Sequence, residues 1–373
     1  MSAKISVILP VYNVEKHISD ALYSLINQSL GQENLEIILI DDCSTDRSGE
    51  VIKTFKNKFS NLKYIKLKKN SGSPGKPRNI GVKNSVGEFI YFMDPDDILD
   101  EYALETLLNS ISDKDDFSMG ALESFNEDGR TFQHITFKDY KLKKTYVNTN
   151  IEQVPFFAQL KTGVVLKLIR RKFYVNNNIS FTEDMRNGED KIVDALLYSQ
   201  AKSFTYIPYV VYRYRNRNSE DDLSLTHQEI KGLLTNDIKA FYLVRNHYSK
   251  NVANYFLVNV LRSIFWQLLS EEFLLLERNE RLHFLIEIRK ILIDYDNQII
   301  SYYMKEEEPI IYLISIGEYN LAVDYIELLY TRKVTFYEGY NLAEKVKWKN
   351  KFKKSKSHKL YKVLKIFKIV KGE

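Results

Sequence analysis

Over the first 112 positions, apolar residues fall in short unbroken runs separated by stretches with helical spacing. KISVILP (4–10), LEIILID (35–41), LKYIKL (62–67) and EFIYFM (88–93) are β-rich runs and predict four strands. Between them Ile18, Leu22, Leu25 and Ile26 share one helical face, and Val51, Ile52 and Phe55 another, with Ser44 to Asp46 as a capping signal. Strands alternating with helices at this spacing imply βαβ units, right-handed crossovers and a mainly parallel sheet. Ligands of such sheets lie beyond the carboxyl ends of the strands. Four such ends carry polar groups: Tyr12 and Asn13, Asp41 and Asp42, Asn70 and Ser71, and Asp94 to Asp97.

The pattern changes twice further on. From 116 to 217 it is mixed, with β-like runs at 204–207 and 209–214 and a helix expected near Gly188. From 227 to about 343, Leu, Ile and Tyr recur with helical periodicity and few Gly or Pro interrupt them, which predicts an all-helical module. The expected organisation is an α/β domain over 1–225, a helical domain over 226–344 and a basic tail over 345–373.

A chain of 373 residues with 44% hydrophobic content has enough apolar material for two cores. No uninterrupted apolar run reaches the roughly 18 residues of a membrane-spanning helix. The N-terminus has a single Lys followed by a β-type run, so it reads as the first strand and not as a signal peptide. The single Cys43 excludes an internal disulfide framework and fits a reducing compartment, so the cytoplasm is the expected location. The whole-chain charge is +5. Residues 345–373 carry net +11, which leaves −6 for the rest.

The stretch EFIYFMDPDDILDE (88–101) drives an apolar strand into a group of carboxylates. Helix capping needs one carboxylate. Asp94, Asp96 and Asp97 together would repel one another unless a divalent cation or a hydrogen-bonded ligand absorbs the charge. Asp97 is expected to cap a helix over 98–111. Arg78 falls in the first turn of a helix starting near Pro77, where a cation opposes the helix dipole and a nearby anion would explain it. TEDMRNGEDKIVDALL (182–197) holds two Glu-Asp pairs. The second opens a helix that Ile192, Val193, Leu196 and Leu197 would anchor.

ISVILPVYNVEKHISDALYSLINQSL, IILIDDCSTDRSGEVI, NSGSPGKPRNIG and GEFIYFMDPDDILDE, in that order, resemble the nucleotide-sugar domain of glycosyltransferase family 2. The resemblance covers roughly the first 215 residues. It implies the GT-A fold, a Rossmann-like, mainly parallel sheet, and a UDP-sugar donor with Mg²⁺ or Mn²⁺. Under it, Pro10 and Tyr12 would line the base, Asp42 would accept from the uracil imide, and Asn70 and Arg78 would contact the nucleotide. Asp94-Pro95-Asp96 reads as the D-x-D motif, with Asp94 near the ribose or the metal and Asp96 as direct metal ligand. Asp190 would be the base for an inverting displacement and Glu189 its orienting partner, with Asp184 in reserve. Proline at position 95, where the family often has a small residue, would stiffen the loop.

NSGSPGKPRN followed by a helical module most resembles the family members that add N-acetylhexosamine to wall teichoic acid. The implied acceptor is a polyol-phosphate chain, with capsule or exopolysaccharide as the alternative polymer. In the tail, Leu360, Val363, Leu364, Phe367 and Val370 share one helical face and Lys362, Lys365 and Lys368 the other, as expected of a helix lying on an anionic membrane surface at the inner face of the plasma membrane. A membrane-bound nucleotide-binding scaffold is the non-enzymatic alternative, disfavoured because Asp96, Asp190 and Arg78 are all present. The acidic main body argues against nucleic acid as a partner. Related helical modules can mediate self-association, and both a homo-oligomer and a monomer stay open. In YRYRNRNSEDDLSLT (212–226), the arginines would either hold phosphate or pair with Glu220, Asp221 and Asp222.

Overall fold

The computed structural model describes residues 3–133, 135–160, 163–217, 230–293 and 296–337. The basic tail, the stretch around 224–228 where the domain boundary was expected, and Glu220, Asp221 and Asp222 lie outside the described residues. The described residues up to 217, with Leu243–Val252, form one compact unit. Residues 230–242 and those from 253 onward form another.

The first unit opens with β1 (Ile5–Val11), α1 (Ile18–Ile26), β2 (Leu35–Asp41), α2 (Ser48–Phe55), β3 (Leu62–Lys66), α3 (Gly75–Asn84) and β4 (Phe89–Phe92). It continues through β5 (Ile98–Leu99), α4 (Ala103–Ser110), β6 (Phe117–Asn126), β7 (Thr131–Gln133), β8 (Tyr146–Thr149), β9 (Lys167–Arg170), α5 (Arg171–Asn176), α6 (Glu189–Gln200) and β10 (Phe204–Asn216). All ten strands join one mixed sheet in the order β3-β2-β1-β4-β9-β6-β10-β5, with β7 on β6 and β8 on β10. The β3-β2-β1-β4 half is parallel. β9 then runs antiparallel between β4 and β6, and β6 and β10 are parallel to each other. This is the GT-A arrangement, a Rossmann-like half extended by a mixed half.

Helices cover both faces of the parallel half, so every residue of β1 and β2 is buried. Pro10 is tolerated in the central strand β1 because of its position. Ile8 accepts from Met93 on the β4 side, so by alternation Pro10 turns its missing N–H to that side, and the paired register with β4 has ended at Ile8 opposite Phe92. On α3, Gly81 permits close approach to β1: a β-carbon there would lie 2.3 Å from Ile8 Cγ2. In the mixed half Phe117, Phe157, Tyr198 and Phe204 pack ring against ring, with centroids 4.9 to 6.4 Å apart, and this holds α6 on the sheet.

Two sequence expectations are corrected here. The runs at 204–207 and 209–214 are one strand, β10, whose pairing with β6 is irregular around Pro208 because the ladder must step past a residue without an N–H. The helix expected over 98–111 begins only at Ala103, because Ile98 and Leu99 pair antiparallel with Arg213 and Tyr212 of β10.

The second unit holds most of α7 (Ile230–Val244) and α8 (Lys250–Leu268), then α9 (Glu271–Leu274), α10 (Arg278–Leu292), α11 (Asn297–Tyr303), α12 (Glu308–Ser315) and α13 (Tyr319–Tyr337). Leu257, Leu261, Ile264, Leu285, Ile288, Leu313 and Ile326 build its core. Arg278 and Arg281 on α10 pair with Asp324 and Glu327 on α13 at 2.9 and 2.6 Å. Among the described residues no helix is long and apolar enough to cross a membrane.

Candidate active site

The carboxyl ends of β1, β2 and β4 and the loop after β3 meet at one edge of the sheet and are cross-braced there. Asn13 sits just past β1 with φ 51°, and its Oδ1 accepts from the backbone N–H of Thr45 at 2.9 Å and of Asp46 at 3.4 Å. Asp41 Oδ1 accepts from Ser44 N at 2.7 Å, and Tyr64 donates to its Oδ2 at 2.5 Å, so Asp41 organises the turn that leads to α2. Asp46, two residues before α2, accepts from Ser48 N at 2.9 Å, while the N-cap position itself is Arg47 and has no side-chain capping bond. Tyr12 projects from the same edge with 46% of its surface exposed, whereas Pro10, two residues before it, is buried.

Asp42 is buried and tied to the loop after β3. Its carboxylate accepts from Ser71 N at 2.9 and 3.0 Å and from Ser71 Oγ at 2.8 Å, while Asn70 Nδ2 donates to its main-chain oxygen at 3.1 Å. Two of the predicted residues, Asp42 and Asn70, are thereby brought together. Ser71 Oγ lies within donating distance of Asp42 Oδ2 and, at 3.0 Å, of the Ser73 main-chain oxygen, and nothing in its sequence neighbourhood distinguishes it from the other serines of that loop.

The acidic loop after β4 resolves into three different carboxylates. Asp94 is partly exposed, and Arg78 Nη2 donates to its Oδ1 at 2.6 Å. Asp96 pairs through Oδ2 with Arg217 at 3.0 Å. Burial pushes the Asp96 carboxyl above its ordinary value, Arg217 opposes this, and Asp94 adds to the rise. Asp97 is fully buried and accepts from Arg215 N at 2.7 Å and from Tyr212 Oη at 2.8 Å. Burial, then Asp96 and Asp94, raise its carboxyl well above the usual range. Asp97 is therefore not the expected helix cap: it anchors the loop to β10.

Arg78 is 5% exposed and lies across this edge. Nη2 binds Asp94 while Nη1 donates to Glu189 Oε1 at 2.9 Å, and the guanidinium carbon lies 5.1 Å from the centroid of the Phe181 ring. Burial works against the Arg78 charge, but Asp94 and Glu189 outweigh it and hold the group firmly protonated. The anion that the sequence required beside this first-turn cation is thus supplied within the chain, twice over. For Glu189, burial and then Asp190 push the carboxyl up to about 7 against the pull of Arg78.

Gly188, at φ 81°, turns the chain into α6, so Glu189 and Asp190 open the helix. Glu189 is buried on Arg78, and Asp190 is half-buried beside it. Glu183 and Asp184 are exposed; Glu183 Oε1 accepts from Asn79 Nδ2 at 3.1 Å. The three arginines of 212–217 have separate partners. Arg213 pairs with Asp100 and Glu123, Arg215 with Asp20, and Arg217 with Asp96. Arg217 on Asp96 is the contact the sequence reading missed. The alternation of Arg213, Arg215 and Arg217 at period two was the available signal, since it places all three on one side of an extended chain.

The donor set suits a hard divalent cation. Asp94 and Asp96 offer carboxylate oxygens, and the neighbouring carboxylates that add to the burial-driven rise of Asp96 and Asp97 are a negative charge that such a cation relieves. Among the described residues no group of three or more His, Cys, Asp or Glu side chains forms a complete metal site. A Mg²⁺ ion characteristically takes only one or two protein carboxylates and completes its shell with phosphate oxygens and water.

Residues 6–171 match the model of Glycosyl transferase family 2. The minor teichoic acid biosynthesis protein GgaB of Bacillus subtilis is 30% identical over 303 residues, which is 79% of this chain and 33% of that protein. The poly(ribitol-phosphate) beta-N-acetylglucosaminyltransferase TarS of Staphylococcus aureus is 31% identical over 222 residues, 59% of this chain and 37% of that one. The chain thus spans well under half the length of these curated relatives. In fold, it superposes on the crystal structure of S. aureus TarS 1-349 in complex with UDP-GlcNAc with a TM-score of 0.68 at 22% identity, covering 91% of this chain and 93% of that one.

Proposed function

Residues 6–171 form a glycosyl transferase family 2 domain, and on that premise we propose that the chain is an inverting, metal-dependent glycosyltransferase that moves an N-acetylhexosamine from a UDP-sugar to the polyol-phosphate chain of a wall teichoic acid. The observation that carries the reading is the Arg78 bridge, which ties the D-x-D loop through Asp94 to the Glu-Asp helix start through Glu189. A donor site and a base are thereby set on either side of one buried cation. The names of the relatives, teichoic acid biosynthesis and poly(ribitol-phosphate) glycosyl transfer, support the acceptor.

In this reading Tyr12 and Pro10 lie along the uracil base, and Asp42 accepts from its imide, being an acceptor only when ionised. Asn70 and Arg78 hold the nucleotide. Asp94 and Asp96 would hold a Mg²⁺ or Mn²⁺ ion, which when bound would supply Lewis-acid stabilisation of the negative charge on the leaving diphosphate. The acceptor hydroxyl gives its proton to the Asp190 carboxylate as its oxygen bonds to the anomeric carbon. The bond from that carbon to the diphosphate oxygen breaks with its electron pair, and UDP departs. One base and one displacement invert the anomeric centre. Glu189 holds the start of α6 in place through Arg78.

The domain division at about 225 and the tail from 345 belong to the same proposal. The tail places the protein at the cytoplasmic face of the membrane, where twelve lysines meet anionic lipid at about 1 kcal/mol per residue near the surface.

The test is a mass-spectrometric screen of UDP-sugars with Mn²⁺ or EDTA, offering polyribitol phosphate, polyglycerol phosphate and capsule fragments as acceptors. Metal-dependent gain of one N-acetylhexosamine on a polyol phosphate is expected. Gain only on a glycan moves the acceptor to a capsule polymer, and tight UDP binding without transfer replaces the enzyme with a nucleotide-binding scaffold.

A further inference from the structure

Beneath Asp190 lies a second ion pair that no step above uses. Lys167, the first residue of β9, is 0% exposed. Its Nζ donates to Asp194 at 2.8 Å to Oδ1 and 3.0 Å to Oδ2, and to the Gly163 main-chain oxygen at 3.0 Å. The Nζ also lies 5.0 Å from the centroid of the Tyr198 ring. Burial draws the ammonium below its ordinary range, and Asp194, then Asp190, work to keep it charged.

The pair reaches Asp190 by two routes. Asp190 and Asp194 are four residues apart on α6, so they stand one turn apart on the same face. Gly163, whose oxygen holds Lys167, has φ 63°, and a β-carbon there would lie 3.6 Å from Asp190 Oδ2. The ammonium therefore fixes the turn that walls Asp190 on one side and the helix that carries it on the other. A buried lysine is costly to keep charged. An apolar residue at 167 would pack against the same Tyr198 ring, yet it could neither hold the Gly163 oxygen nor place a positive charge near Asp190.

Resting on the transferase reading above, we propose that Lys167 is a positioning residue for the base, with Asp194 as the counter-ion that holds Lys167 in place and tempers its charge. The charged groups facing Asp190 are then Lys167 from β9, Arg78 from α3, and Glu189 and Asp194 from its own helix, while the Lys191 main-chain N–H donates to Asp190 Oδ1 at 2.8 Å.

The test uses the full chain with Lys167→Met, which keeps the side-chain length and removes the charge, and Asp194→Asn, which removes the negative charge one turn from Asp190 and keeps an oxygen for Lys167 to donate to. Turnover against pH and UDP-sugar affinity are measured for both. Donor affinity is expected to stay within about twofold, while turnover falls at least about tenfold in Lys167→Met because a misplaced catalytic group is expensive in rate. The acid limb of the profile should move in opposite directions, up in Lys167→Met and down in Asp194→Asn, by roughly one pH unit. A role in packing alone moves neither limb. If Lys167→Met does not fold, the downward shift in Asp194→Asn decides. Normal turnover with unmoved limbs overturns this inference alone. No turnover by the unsubstituted chain with any UDP-sugar overturns the transferase reading and this one with it.

Discussion

Arg78 Nη1 meets Glu189 Oε1 at 2.9 Å although the two residues are 111 positions apart in the sequence. Each is buried, and the same guanidinium also reaches Asp94 at 2.6 Å. A buried cation flanked by two carboxylates is costly to desolvate, and removing it would leave the acids without a partner. This makes Arg78 the hinge on which both halves of the site depend.

Arg78→Lys is expected to be a severe change despite conserving charge. The planar fork serves two carboxylates at once, which a single ammonium does not reproduce. Urea unfolding should show a loss of about 3 kcal/mol, as for other broken buried pairs, and calorimetry should show weakened UDP-sugar binding. Wild-type stability and affinity would mean that the bridge is incidental.

Glu189 gives the protein a pH signature. Its folded-state carboxyl is pushed up to about 7 from an ordinary 4.5. A raised folded value means that the native state binds more protons than the unfolded state between those pH values. Its contribution to stability is therefore complete below about pH 4.5 and is lost as pH rises through 7. Glu189→Gln should flatten that decline, gaining on the wild type between pH 5 and pH 8 by an amount on the order of 2–3 kcal/mol. Parallel stability curves for the two proteins would contradict the assignment.

The parallel half of the fold was readable because its signals are local. Unbroken apolar runs mark β1, β2 and β4, the run LKYIKL marks β3, and the residues that follow each run stand at the site edge, so the places of Asp42, Asn70, Asp94 and Asp96 are legible in the sequence. What eluded the pattern is what long-range pairing decides. Ile98 and Leu99 continue like the start of a helix until β10, more than 110 positions later, claims them as a strand. Asp97 resembles a cap until Arg215 and Tyr212 bury it. Arg78 reads as a cation wanting an anion, but its two partners come from other elements and no spacing rule reaches them. Lys167 and Asp194 show no signal at all, since a Lys in a strand and an Asp in a helix read as surface residues until the tertiary fold closes over them.

Gly81→Ala tests how α3 delivers Arg78. The added methyl would meet Ile8 Cγ2 at 2.3 Å, and Ile8 is a fully buried β-branched residue with little room to yield. The helix must shift, at a cost of roughly 1–3 kcal/mol, visible as a lower urea midpoint. A loss of donor affinity should accompany it, because Arg78 moves with the helix. An unchanged midpoint would show that α3 and β1 are not in contact here.

The tail is tested by removing residues 353–373. Binding to vesicles rich in anionic lipid should fall, and the remaining binding should weaken further with salt because the attraction is screened. Turnover on a soluble acceptor should not change. Undiminished vesicle binding would rule out the tail as the anchor.

The most direct measurement compares Asp190→Asn with Asp96→Ala for both sugar transfer and Mn²⁺-dependent UDP-sugar binding. Asp190→Asn is predicted to lose transfer by at least about a hundredfold while binding the donor like the wild type, and Asp96→Ala to lose metal-dependent binding itself. Transfer that persists in Asp190→Asn, or an equal loss of binding in both variants, would contradict the division of the site into a donor-holding loop and a base-bearing helix.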